Sequence, residues 1–493
     1  MKKLLLIATC TLSLLGASHA VSAKQPLNQF GVQNVVAVEQ VADHAKWIDL
    51  GTQKNVPLRK SWTIVFNQTV DYSKVDGAVI EMNDKYIPVE IDITGRKTMK
   101  VAPVHNYESN KTYTLKVFLN NGKRYKMTFT TTTDVNTLVE KLPSKHGETV
   151  FRVPAMPELG FNFPYYIRLP QEQYKMHADN GTAKRYIVMD TANSGPSNLA
   201  GTEYWVNTTL RNMSQYSVRI ANELYMPMIM PATPRTHVSY KDEHNEWNNF
   251  DEHSFDRDIA RMEQLLAMPS GETIRKEYAD QGLNAEDYIN YDEQLIAMFK
   301  HAASYLNSIG ENVQTDKMML TGYSSGGTFT DRLAMLQPQY VKAIASGATL
   351  DDMVMPAATK GTDQLIFPIG VADYKTLTGR EFDLHSVNNI AKLVYMGKDD
   401  NNVTLPYQDA FGDFERNIII RQFGEDTLQR AYNMMEFYHA SGGKAMFILD
   451  NEVGHWQSNE MTEYIKEFFR ANRKSNSPVY PIPSDTNQLE YYF

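Results

Sequence analysis

The stretch KMMLTGYSSGGTFTDRLAML, residues 317–336, constrains this chain more than any other. Met318, Met319 and Leu320 form an apolar run that enters Gly322-Tyr323-Ser324-Ser325-Gly326-Gly327 and leaves as a helical pattern with Phe329, Leu333 and Leu336 apolar. A strand that becomes a helix in so few residues needs a reversal too sharp for bulky neighbours two before and two after its apex, and Gly322 and Gly326 occupy those places around Ser324. The residues alone allow two readings. Either Ser324 is a nucleophile held out at the tip of a strand, or this is a glycine-rich strand-to-helix turn with an idle serine.

The surrounding texture agrees with a strand-to-helix turn inside a parallel sheet. Beyond a linker around Asp134 to His146, strand-like runs such as Tyr186–Met189, Met228–Met230, Ile344-Ala345, Leu393–Tyr395 and Met446–Leu449 alternate with helical patterns at Tyr291–Phe299 and Met461–Arg473. Alternating β and α over more than 300 residues predicts a mostly parallel sheet with helices on both faces, spanning residues 147–474. The interval 237–287 breaks the alternation. It sets Trp247, Phe250 and Phe255 among Asp, Glu and Asn, and reads either as a lid over the site or as an acidic surface excursion. A second insertion is expected between Met355 and Asn389. Residues 475–493 are polar and hold three prolines, and are expected to form a tail packed on the surface or loosely ordered.

The first part of the chain has a different period. Trp62, Ile64 and Phe66 alternate with Ser61, Thr63 and Val65, and the runs Tyr113–Leu119 and Tyr125–Phe129 flank Asn120-Asn121-Gly122, which predicts a β-hairpin. Several short strands with no helical stretch predict a small β-sandwich over residues 46–132. At the start, Met1-Lys2-Lys3, the apolar run Leu4 to Leu15 and small residues before Ala20 and Ala23 read as an export signal, residues 1–23, cleaved after one of those alanines. The only cysteine, Cys10, falls inside it, so the exported chain is expected to carry no thiol and no disulfide. With 493 residues two or more domains are expected, and a net charge of −9 without a Lys/Arg cluster argues against nucleic acid as a partner.

A serine hydroxyl is a poor nucleophile until a base takes its proton, so the first reading of Ser324 requires a histidine and an orienting carboxylate further along. Both follow in order at strand ends. Gly397-Lys398-Asp399-Asp400 follows Leu393–Met396, and Gly454-His455 closes the turn after Phe447–Leu449. Asp400 is the preferred acid, because G-x-x-D places it where the loop turns back to the sheet, and Asp399 is the fallback. Taken singly, the Asp-Asp-Asn-Asn run is an ordinary solvated loop and His455 an ordinary packed or surface histidine. Serine, aspartate and histidine at successive strand ends is the α/β-hydrolase order. The backbone N–H of Ser325 is one expected oxyanion donor, and Asn193 or Ser194 in MDTANSGPSN is the candidate for the other unless that segment is only a turn.

Two resemblances rest on these phrases. KSWTIVFNQTVDYSKV, MKVAPVHNYESNKTYTLKV and MTFTT resemble the bacterial Ig-like domains of secreted and S-layer-associated proteins. GFNFPYYIRLP, MDTANSGPSN, MPMIMPATPR, the segment around Ser324, YMGKDDNN and GHW resemble secreted α/β-hydrolases of the polyhydroxybutyrate-depolymerase-like and esterase type, over nearly all of residues 150–470. The second resemblance implies ester hydrolysis through an acyl-enzyme with no metal or organic cofactor, on an ester substrate that could be polymeric or acylated. The first allows contact with a cell surface or polymer. The resulting expectation is an exported or cell-surface serine ester hydrolase, with a serine peptidase of the same fold, or a non-catalytic adhesion or binding protein, as the competing readings.

Overall fold

The computed structural model of the chain describes residues 11–14, 46–56, 58, 60–66, 75–93, 97–104, 107–132, 138–142, 148–177, 184–191, 215–236, 238–241, 247–250, 260–402, 405 and 411–493, with only the backbone described for 11–14, 215 and 247–250. Two compact units divide it: Met1–Leu138 with Met156–Glu158, and Val139–Ala155 with Leu159–Phe493.

The first unit is a β-sandwich. One sheet places Thr11–Leu14, Trp62–Phe66, Thr98–Pro103 and Val89–Asp92 side by side, and the other orders Trp47–Val56, Arg124–Thr131, Thr112–Leu119, Val75–Met82 and Lys85–Ile87. The period-two pattern works as expected: Trp62, Ile64 and Phe66 from one sheet meet Tyr113, Leu115, Val117, Tyr125, Met127 and Phe129 from the other in a single core. The buried indole of Trp62 donates to the Tyr107 hydroxyl at 3.1 Å, so its one polar group is satisfied inside the core. The hairpin turns at Gly122, whose φ of 80° suits a residue without a β-carbon. Thr11–Leu14, inside the expected export signal, lies parallel to Trp62–Phe66.

The second unit is built on ten strands, labelled here in chain order: β1 Glu140–Lys141, β2 Thr149–Val153, β3 Tyr165–Leu169, β4 Val188–Asp190, β5 Met228–Pro231, β6 Met318–Tyr323, β7 Val341–Gly347, β8 Ala391–Gly397, β9 Met446–Asp450 and β10 Leu489–Tyr492. Their order across the sheet is 1-2-3-5-4-6-7-8-9-10. The six strands β5 to β9 in that row pair in parallel, while β1, β2, β3 and β10 run antiparallel at the edges. β7, β8 and β9 are buried at every position, which is why they are predominantly apolar rather than alternating, with Lys342, Lys392 and Asp450 the charged residues among them. This is the α/β-hydrolase architecture, with the reversal of order at β5 and β4 and the loops after the parallel strands gathered at one edge of the sheet.

Two intervals carry structure that the sequence expectation left open. The segment 475–493 is not loose: it returns to the sheet as β10, with Leu489 buried and Tyr480 packed on Phe468. The strand is four residues long, too short for its alternation to stand out in the sequence. In the insertion 237–287, Val238–Lys241 and Trp247–Phe250 form a hairpin, whereas the part from Arg261 onward is built into the domain. There Tyr278 is fully buried and meets the ring of Tyr288, just beyond the insertion, at 5.0 Å, and Arg261 pairs with the buried Glu415 at 3.1 Å. Phe255 lies outside the described residues.

Candidate active site

The turn after β6 has the geometry that its glycines predict. Ser324 sits at φ 57°, ψ −132°, between the last residue of β6 and the first residue of the Ser325–Leu336 helix. A residue with a β-carbon seldom adopts this conformation, so the surroundings must impose it. They do so through two backbone hydrogen bonds: Ser324 N–H donates to the Gly347 carbonyl at 2.9 Å, and its own carbonyl accepts from Thr328 N–H at 3.0 Å. A β-carbon at Gly322 would stand 2.2 Å from the Gly326 carbonyl oxygen, so the first glycine of the motif is required by contact. Gly327 has the same status one position later, since its β-carbon would meet the Gly347 oxygen at 2.2 Å. The pair Gly327–Gly347 therefore sets how closely this helix lies on β7.

His455 and Asp400 arrive from two other strand ends. His455 Nε2 is 3.0 Å from Ser324 Oγ, and Nδ1 is 2.8 Å from Asp400 Oδ2. A carboxylate only accepts, so Nδ1 carries the hydrogen and the lone pair of Nε2 faces the serine hydroxyl. The two loops are stitched together by backbone. Lys398 N–H donates to the Asp450 carbonyl at 2.8 Å and Asp399 N–H to the Val453 carbonyl at 3.2 Å, while a β-carbon at Gly397 would stand 2.1 Å from the Gly454 oxygen. The Asp400 side chain is 5% exposed and that of His455 32%, so the acid is shielded and the imidazole open to a substrate. Asp399 points to solvent, which disfavours it as the acid.

Four neighbours of these residues are not among the sequence-derived candidates. Asn402 donates its backbone N–H to Asp400 Oδ1 at 3.0 Å and places its amide nitrogen 3.4 Å from His455 Nε2. Tyr323 packs its ring 5.4 Å from the imidazole, and burial, with Asp400 adding to it, pushes its phenol far above the usual range, so the ring stays neutral. Arg235, buried beyond the end of β5, donates to Ser325 Oγ at 2.9 Å. Asp351, on the loop after β7, is gripped by Arg430 at 2.5 Å, yet burial, the Asp400 charge contributing, raises its carboxyl above the normal range. Only Asn402 had a local signal, since Asp-x-Asn is a common Asx-turn sequence; the others come together through tertiary approach.

Of the expected oxyanion residues, Ser325 is the first residue of the helix, where backbone N–H groups have no intrahelical partner. Asn193 and Ser194 lie outside the described residues. No group of three or more His, Cys, Asp or Glu side chains is placed to hold a metal ion among the described residues.

The chain combines an α/β-hydrolase fold with a preceding Ig-like β-sandwich. Residues 50–152 match the bacterial Ig-like domain family. The match runs past the sandwich into β1 and β2 of the second unit's sheet. No curated protein matches the chain. Similar solved structures include an S-formylglutathione hydrolase from Agrobacterium tumefaciens, 13% identical, TM-score 0.37, covering 68% of this chain and 98% of that one. A thermostable esterase is 13% identical with a TM-score of 0.29, covering 84% and 92%, and a fluorophosphonate-binding serine hydrolase of Staphylococcus aureus is 13% identical with a TM-score of 0.31, covering 66% and 98%.

Proposed function

We propose that the second unit is a serine hydrolase that cleaves carboxylic esters through a Ser324–His455–Asp400 triad. The observation that carries this reading is the single imidazole bridging Ser324 Oγ at 3.0 Å and Asp400 Oδ2 at 2.8 Å, with Ser324 held in a conformation that serine does not adopt without constraint. In the reaction, Ser324 Oγ bonds to the ester carbonyl carbon as its proton passes to His455 Nε2, and Asp400 stabilises the imidazolium and fixes the ring. The carbonyl oxygen becomes an oxyanion held by Ser325 N–H, with a second donor sought at Asn193 or Ser194. Collapse breaks the bond to the alcohol oxygen, which leaves with the proton from Nε2. Water, deprotonated by the same nitrogen, then attacks the acyl-enzyme and frees the acid and Ser324.

Ester cleavage, rather than catalysis in general, rests on the resemblance of MDTANSGPSN, YMGKDDNN and GHW to secreted esterases. We place the enzyme outside the cell on the pattern of residues 1–23. A fluorophosphonate probe tests the nucleophile directly. Wild-type protein is expected to be labelled at Ser324, and Ser324→Ala is expected to lose both labelling and hydrolysis with a nearly unchanged thermal midpoint. Turnover retained in that variant would rule the mechanism out.

A further inference from the structure

Trp456 follows the proposed base directly and is 63% exposed, an unusual position for an indole, whose large apolar surface is ordinarily covered. It is not a loose side chain. Its ring meets that of Tyr216 at 5.6 Å and 83°, edge to face, and its backbone N–H donates to the Gly454 carbonyl at 2.7 Å, closing a tight turn whose middle residue is His455. Beside the imidazole, Tyr323 packs on the His455 ring at 5.4 Å and on Tyr395 at 6.2 Å, and the Tyr216 phenol adds to the burial that raises both of those phenols. Tyr395 is itself anchored by donating to Gln457 at 2.6 Å. The result is a braced, solvent-facing indole one residue from the group that moves the proton.

Chemistry decides which half of an ester such a surface would meet. The acyl carbon bonds to Ser324 and its oxygen turns toward Ser325, whereas the alcohol oxygen must come within hydrogen-bond reach of His455 Nε2 to be protonated as it leaves. The alcohol portion therefore departs past the turn that carries His455 and Trp456. We propose that Trp456, braced by Tyr216, is the binding platform for the alcohol portion, and that the enzyme favours esters whose alcohol is a ring with a flat apolar face, either an aryl group or a pyranose. The reading rests on the serine-hydrolase mechanism and deepens it. It also separates the two specificities, since this platform acts on the leaving group and leaves acyl selection to other residues.

The test uses one acyl group and several alcohols: acetates of ethanol, phenol and a methyl pyranoside. Comparing variant with wild type on each substrate cancels the differing reactivity of the esters. For Trp456→Ala the kcat/KM ratio to wild type is expected to fall on the order of tenfold further for the ring alcohol than for ethanol, as expected for loss of a ring contact. Trp456→Phe should recover most of it, and the phenyl and pyranoside arms show which ring is preferred. With ethyl esters of increasing acyl length, Trp456→Ala should shift every member by the same factor. An equal loss across all three alcohols would reduce Trp456 to a support for His455 and overturn the proposal, as would a changed acyl-length profile. Fluorophosphonate labelling of Ser324 in wild type separates these outcomes from failure of the serine mechanism: a labelled enzyme with no alcohol selectivity sinks only the platform.

Discussion

At Asp400 and Asp399 two identical side chains one residue apart have different fates. The first is shielded, bonded to His455 Nδ1 and steadied by Asn402 N–H; the second faces water, and only its backbone ties it to Val453. Asp400→Asn would present an amide to Nδ1 and favour the wrong imidazole tautomer, so kcat is expected to fall by about 10³ to 10⁴. Asp399→Asn leaves the backbone bond intact and should stay within about twofold, as surface substitutions usually do. Equal losses in the two variants would deny Asp400 its role. The two aspartates also show what residue-level reading reaches. Ser324, Asp400 and His455 were legible because each stands at a fixed offset from a glycine at the end of a buried strand or in the turn after it, and two of those glycines, Gly322 and Gly397, are forced by contacts of 2.2 and 2.1 Å. Arg235 was not, because its partner Ser325 is 90 residues away and nothing near it in sequence announces the approach.

Among the elements, the last strand does more than cover an edge. Lys398, in the turn leading to Asp400, pairs with Glu490 at 2.8 Å, and Asn451, in the turn leading to His455, donates to the Gln488 carbonyl at 2.9 Å. Gln488 also donates to Asp450 Oδ1 at 3.2 Å. β10 and the residue before it thus tie down the two loops that bring Asp400 and His455 together. Removing residues 486–493 is expected to lower the thermal midpoint on the order of 5 °C and to reduce kcat, because both turns lose their tether while β9 becomes an open edge. A truncated chain with full kcat would show that the loops hold themselves. Strand β10 escaped the sequence reading for a physical reason: four residues that pair with a distant strand carry no local period.

The Tyr291–Ser308 helix carries a second element-level prediction. His301 is buried there with Nδ1 2.7 Å from the Tyr165 hydroxyl, and burial lowers its pKa to about 4. An unfolded chain, with the ordinary value of 6.5, takes up a proton that the native state refuses between those limits. Stability from this group is therefore complete above about pH 6.5 and is lost as pH falls toward about 4, at up to about 1.4 kcal/mol per pH unit. His301→Gln keeps a partner for Tyr165 and cannot titrate, so its thermal midpoint should decline less steeply than wild type across that window. Parallel curves for the two proteins would remove His301 from the account.

At the scale of the whole molecule, composition and period separated a β-sandwich from an α/β unit, and each is now seen to bury a core of its own. In the first, Trp62, Ile64 and Phe129 are at most 2% exposed; in the second, β6 to β9 carry apolar residues on both faces of the sheet. Ser324, His455, Asp400, Asn402 and Arg235 all belong to the second unit, as do the strands that place them. None of these five residues comes from the sandwich. A chain beginning near Val135 keeps every strand of the ten-stranded sheet, including β1, which pairs with β2 through Glu140 and Lys141. It is expected to fold, to be labelled by a fluorophosphonate at the full-length rate, and to hydrolyse a small soluble ester with kcat/KM within about twofold of the intact protein, since a domain with its own core is separable. The same truncation should lower turnover only on an insoluble or surface-bound ester, where the sandwich would hold the enzyme to its substrate. If the shortened chain folds, judged by an unchanged circular dichroism spectrum, yet fails on the soluble ester, then the sandwich contributes to the site and the division of labour drawn here is wrong.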